Sequence, residues 1–96
     1  MAEIRVTSAT LRAKKDELQQ MNAKFMDAVN NLEATAQSLS ASWEGESHDA
    51  FYKSFESDKT QMHNFYNAIQ AYVTAFEQIA AQYEKSEATN TQIASR

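Results

Sequence analysis

The sequence has no cysteine, no proline and a single glycine, Gly45, in 96 residues. Without cysteine there is no disulfide framework and no thiolate metal site, and the two histidines, His48 and His63, are fifteen positions apart, too few and too far for a Cys/His zinc site. Without proline, and with Ala, Gln, Glu, Lys, Met and Leu abundant, the usual helix breakers are missing almost throughout, which predicts long helices. No stretch approaches the roughly 20 apolar residues of a membrane span, so no stable membrane insertion is expected. The opening MAEIRVTSATLRAKK lacks the apolar centre of a signal peptide, so any export is expected to proceed without cleavage of one. No Ser/His/Asp ordering and no glycine-rich loop points to nucleophilic catalysis or phosphate binding, and neither an enzyme nor a cofactor is expected.

The formal net charge of −4 argues against nucleic-acid binding by phosphate neutralisation. Charge is unevenly spread. Residues 1–26 carry Arg5, Arg12, Lys14, Lys15 and Lys24 against Glu3, Asp16 and Glu17, whereas residues 27–58 carry seven acids against Lys53 alone.

Ile4, Leu11, Leu18, Phe25, Leu32 and Leu39 recur every seven residues without a miss, which keeps one face of a helix apolar. A flanking column holds Met21 and Ala28, and another Val29, Ala36 and Trp43. This predicts a first helix over about 8–41, with Thr7 or Ser8 as N-cap. The second half repeats the pattern with Phe55, Met62, Ile69, Phe76 and Tyr83 in one column and Phe51, Phe65, Tyr72 and Ile79 in the next, broken at Asp58; Tyr52, Tyr66, Val73 and Ala80 form a third. It predicts a second helix over about 47–87, capped by Ser47 or Asp49, before a flexible tail over 88–96. Three adjacent columns exceed what sealing one partner needs, so the second helix is expected to touch more than the first.

Between the two patterns lies Ser42-Trp43-Glu44-Gly45-Glu46, which contains the only residue that adopts left-handed backbone cheaply, and the turn over 42–46 belongs there. The fold class is therefore all-α: an antiparallel two-helix hairpin, a rod of about 50 to 60 Å with little three-dimensional core. Two hairpins packed as a four-helix-bundle dimer would solve that shortage. The expected interface residues are Phe51, Tyr52, Phe55, Met62, Phe65, Tyr66, Ile69 and Val73. An acidic turn end and a basic start of the first helix favour antiparallel pairing, with exposed ion pairs contributing only about 0 to 1 kcal/mol each.

About 100 residues, two heptad-patterned helices, Trp43-Glu44-Gly45 at mid-chain and Tyr83-Glu84-Lys85-Ser86-Glu87 near the end of the second helix resemble the WXG-100 superfamily, the ESAT-6-like proteins. The likeness covers essentially the whole chain. One departure is Thr7-Ser8-Ala9-Thr10, where many relatives begin with Ser/Thr-Pro-Glu-Glu. The resemblance implies a type VII secretion substrate, folded in the cytoplasm as a dimer of hairpins and exported to the extracellular space by a membrane-anchored ATPase. It also implies that Tyr83 and Glu87 of one subunit form a composite export signal with the Trp43-Glu44-Gly45 turn of its partner, a second copy or a paralogue.

Each of these residues also has a plainer role. Trp43 falls in the column of Val29 and Ala36 and can close the end of the stripe, while its amphipathic ring at a turn also suits a partner. Gly45 suits a C-cap or turn of positive φ. Tyr83 can serve as a last core layer, and Glu87, one turn further on, is poorly placed for stability if the helix ends there. Glu44, Glu46 and Asp49 cluster with His48 in sequence, but no cleft is expected to desolvate them into a metal or acid-base site. His63 is expected on a partly solvated helix face.

Three functions compete. The first is an exported protein that acts by binding, the second a helical chaperone or partner for a co-secreted toxin with a similar hairpin. The third, a membrane-active effector, is disfavoured by the acidic balance, because interfacial helices usually carry Lys and Arg on their polar face.

Overall fold

The computed structural model describes residues 6–94, and the side chains of 6–90; Ile4 and the last two residues of the tail lie outside the described residues. Two helices fill almost all of it: α1, Ser8–Ser40, and α2, Glu46–Ala94. They pack antiparallel as one hairpin measuring 77 × 27 × 16 Å. Thr7 is the N-cap of α1, its side chain accepting from the Thr10 amide at 3.1 Å.

The second helix differs from the expectation at both ends. It begins at Glu46, so Ser47 and Asp49 sit inside its first turn and do not cap it. Gly45, at φ 111°, precedes it, and its carbonyl accepts from the Asp49 amide at 3.2 Å. Glu46 and Asp49 then place negative charge where the helix dipole favours it. The C-cap of α1 is instead Ala41, in right-handed geometry, so the glycine serves the entry to α2. At the other end α2 continues past Glu87 to Ala94, where a frayed tail was expected. Neither proline nor glycine interrupts this stretch, and Ala88 and Gln92 are good helix formers. At 49 residues α2 is also longer than the rod expected.

The seam between the helices is not built on the most apolar column. On α1 it follows Ser8, Lys15, Asn22, Val29, Ala36 and Trp43, again spaced by seven, with Ser8, Asn22, Val29 and Ala36 buried. Small and polar side chains here let the helices approach closely. The unbroken leucine column lies on the shoulder: Leu11, Leu18 and Phe25 are half-buried, and Leu32 and Leu39 are exposed. On α2 the seam uses Tyr52, Tyr66, Val73 and Ala80 with Phe55, Met62 and Ile69, of which Phe55, Val73 and Ala80 are buried. Register is marked midway by Asn22, whose Nδ2 donates to the Tyr66 carbonyl at 3.1 Å and to Gln70 Oε1 at 3.0 Å, while its own Oδ1 is buried without a partner. A polar group so placed costs stability and fixes alignment.

The two flanks of the seam are unlike. One is charged: Lys59 bridges Glu33 at 3.2 Å and Glu56 at 3.3 Å, Arg12 meets Glu84 and, at 3.3 Å, Glu77, and Lys15 reaches Glu77 at 3.3 Å. The Glu77 carboxyl is held below the usual carboxylate range, first by the hydrogen bond from Lys15 and then by that from Arg12, with desolvation acting the other way. The other flank is apolar: Phe25 and Phe65 meet edge to face with centroids 5.3 Å apart, and Leu18, Met21, Phe25, Phe65 and Ile69 line a shallow hollow of about 230 Å³ beside Asn22.

A side chain added at Gly45 would meet nothing within 4 Å, so only backbone geometry constrains it. Gly45→Ala is expected to lower unfolding stability by about 1–2 kcal/mol, the cost of left-handed geometry for an L-residue, and D-alanine at 45 to restore it; equal loss for both enantiomers in denaturant titrations would refute the backbone cause. Because the folded pKa of Glu77 is depressed, its contribution is complete above the ordinary carboxylate pKa of about 4.3 and disappears as pH falls through the folded value. Glu77→Gln should therefore flatten the acid fall in thermal midpoint between about pH 5 and pH 3; identical slopes for the two chains would count against it.

Candidate functional site

The expected site residues sort into two ends and a face. At the turn, Trp43 is half-buried, while Glu44 and Gly45 are exposed. The indole meets His48 edge to face at 5.7 Å and Phe51 at 5.5 Å; His48 continues to Tyr52 at 5.5 Å, and Phe51 stacks on Phe55 at 5.9 Å. The hairpin is thus plugged at this end by a chain of rings, and both aromatic contact and edge geometry favour it. His48 Nε2 lies 2.5 Å from Ser40 Oγ and Nδ1 3.1 Å from Asp49 Oδ1. Hydrogen on Nδ1, donating to Asp49 while Nε2 accepts from Ser40, satisfies both contacts. His48 is therefore a structural bracket between the two helices. Among the described residues no group of three or more His, Asp or Glu side chains could hold a metal ion. His63 is exposed on α2.

At the open end, Tyr83 and Glu87 stand one turn apart on α2, and both are exposed. Among the described side chains of α2 the last buried one is Ala80, and Tyr83, at 43% exposure, forms no buried layer of the single hairpin. Glu87 is far from idle in the fold. Its Oε1 accepts from the Ser8 amide at 3.0 Å and its Oε2 from the Ser8 hydroxyl at 2.9 Å. The first turn of α1 contains no acid of its own, and a carboxylate there is favoured by the helix dipole and the unpaired amides. Glu87 would be badly placed for stability only if α2 ended beside it; α2 runs on to Ala94, and the carboxylate faces the start of α1. The contacts that join Ser8 to Glu87 and Arg12 to Glu77 and Glu84 at this end were not expected. Their signal was available in the column Ser8, Lys15, Asn22, which is too polar to be read as a seam.

Of the eight residues expected between hairpins, Phe55 and Val73 are buried and Phe51, Tyr52, Met62, Tyr66 and Ile69 half-buried within one chain. Only Phe65, at 55% exposure, is largely open. Among the described side chains of the two helices, the large apolar groups left uncovered are instead Met21, Leu32 and Leu39 on α1 and Phe65, Tyr72, Phe76, Ile79 and Tyr83 on α2. On helical geometry these belong to the flank marked by the Phe25–Phe65 contact. They run diagonally along it, on α1 toward the turn and on α2 toward the open end.

The basic start of α1, expected to attract another hairpin, is largely engaged inside the chain. Arg12 is tied to Glu84 and Glu77, and Lys15 to Asp16 at 2.8 Å and to Glu77.

No curated protein matches the chain. Solved structures do. A crystal structure of the secreted protein EsxB from Bacillus anthracis str. Sterne superposes with a TM-score of 0.80 at 23% identity, covering 91% of this chain and 99% of that one. A second crystal form of the wild-type EsxB gives 0.77 at 24% identity, with 86% and 89% covered. At these identities the likeness establishes the fold, the all-α elongated hairpin. The family described as proteins of 100 residues with WXG matches residues 3–88, from before α1 to beyond Tyr83 and Glu87. With Trp43-Glu44-Gly45 in the turn that this match spans, the chain belongs to the WXG100 family.

Proposed function

We propose that this protein is a substrate of a type VII secretion system that acts by binding, exported folded and uncleaved as a pair of hairpins. The observation that carries it is the asymmetry of the hairpin. One flank is closed by ion pairs, while the other leaves a continuous stripe that includes Met21, Leu32, Phe65 and Tyr72 in water. Such a patch on a small chain marks an interaction surface. Laying one diagonal stripe over another crosses the rods at a shallow angle, as in four-helix bundles. With the hairpins antiparallel, Tyr83 and Glu87 of one chain come beside Trp43 of the other, although within one chain they lie at opposite ends. Family membership and the likeness to EsxB, described as a secreted protein, support export, and the reading partner is then the system's ATPase.

The amount of protein in the culture medium of the source organism, with and without that ATPase, tests the proposal. The extracellular pool is expected to vanish without the ATPase while the cellular pool persists; an unchanged pool, or none in either strain, would favour an intracellular chaperone for a toxin. Trp43→Ala is expected to impair export with helix content largely intact, since the indole is only half-buried and sits at the turn end of the seam, beyond the buried Val29 and Ala36; circular dichroism of an unfolded chain would refute that separation. Light scattering at micromolar concentration should show a dimer, and Leu32→Glu with Tyr72→Glu a folded monomer; a wild-type monomer would reassign the stripe to a different partner protein.

A further inference from the structure

The contact between Ser8 and Glu87 bears on how the export determinant is presented. Ser8 is 8% exposed and commits both its donors, amide and hydroxyl, to the two oxygens of one carboxylate. One turn along α1, Arg12 reaches Glu84 and Glu77. These ties bracket Tyr83, whose ring remains open at 43% exposure. Beyond Ala80 no side chain of α2 through Asn90 is buried, so among the described residues this segment adds no core layer to the seam. Most helical stability in proteins comes from a buried face. Hydrogen bonds and ion pairs from the first two turns of α1 therefore help to hold the end of α2 in the hairpin.

We propose that Ser8 is the positioning residue of the Tyr83–Glu87 determinant, clasping Glu87 so that the determinant is ordered and displayed only when the start of α1 is docked. This rests on Tyr83 and Glu87 being read during export. The clasp makes the determinant a report on the closed hairpin: the two strands of the rod must meet at their open end before the tyrosine stands on a fixed helix. It also accounts for the absence of an acid in the first turn of α1, since α2 supplies one across the seam. In this arrangement Ser8 holds Glu87 one turn from Tyr83 on α2, and the two are presented together.

The full chain in its source organism provides the test, with hydrogen exchange of the purified protein as a second readout. Ser8→Thr keeps both donors and should match the wild type in both. Ser8→Asp sets a carboxylate against Glu87 while still suiting the first turn of α1. It should speed exchange over residues 81–94 roughly tenfold, the scale of one charge-assisted hydrogen bond, and lower the extracellular pool with dimer and total helicity retained. Ser8→Ala loses the hydroxyl and keeps the amide tie; it should show a smaller change in the same direction, and it carries the test if the aspartate disturbs folding. Unchanged exchange in these variants, or faster exchange with wild-type export, overturns the clasp. Tyr83→Ala is measured alongside: its failure to be exported while Ser8→Asp is exported normally overturns the clasp alone. Normal export of Tyr83→Ala overturns the determinant itself and the clasp with it.

Discussion

Two helices joined by one turn can bury only one seam, and most features of this molecule follow from how narrow that seam is. The chain spends its closest-packed positions on Ser8, Asn22, Val29 and Ala36 against Phe55, Val73 and Ala80, a line with few large side chains. Close approach of the helices is obtained at the expense of apolar area. The large residues are displaced to one shoulder, where a single hairpin has nothing to set against them, and the opposite shoulder is sealed by Lys59, Arg12, Lys15 and their carboxylates. An apolar shoulder and a charged shoulder make the hairpin one-sided, and the proposed pairing rests on that asymmetry.

The ends are secured by different chemistry. At the turn, rings do it: Trp43, His48, Phe51, Tyr52 and Phe55 form a chain that bridges Ser40 and the first two turns of α2. At the open end hydrogen bonds and charge do it, through Ser8, Arg12, Glu77, Glu84 and Glu87. The aromatic contacts at the turn are little affected by salt, whereas the polar end is screened by salt and weakened when its carboxylates protonate. Opening of the hairpin should therefore begin where the α1 start lies on α2, with the turn holding as the hinge. Asn22 sits between these regimes and penalises any slip of one helix along the other, because its Nδ2 has partners at only one alignment.

The elements were legible because nothing contradicted them. Unbroken periods of seven, missing breakers and one glycine determine two helices and a turn with little competition. The sides of the helices were harder. Periodicity shows which residues share a face but not which of two adjacent faces meets the partner helix, and the leucine column looked like the seam because hydrophobicity alone ranks it first. Ser8, Lys15 and Asn22 won that position because steric fit and paired polar groups outweighed apolar area. The same ambiguity displaced the expected interface on α2: Phe55 and Val73 close the hairpin, and Tyr72 and Ile79 remain outside. The family motif singles out Trp43, Gly45, Tyr83 and Glu87, but Ser8, which Glu87 meets, lies 79 residues away in sequence and no local pattern announces such a contact.

The geometry also bears on the recognition proposed for this protein. What a rod offers is length: distinct surfaces tens of ångströms apart, held in fixed relation by two stiff helices. Tyr83 and Trp43 occupy such separated positions, and no single folded chain can bring them together. A reader that required both would therefore recognise only a paired hairpin, and one that required an ordered Tyr83 would recognise only a closed one. Assembly and folding are in this way converted into shape at the two ends, which is information that an unfolded chain of the same sequence does not carry.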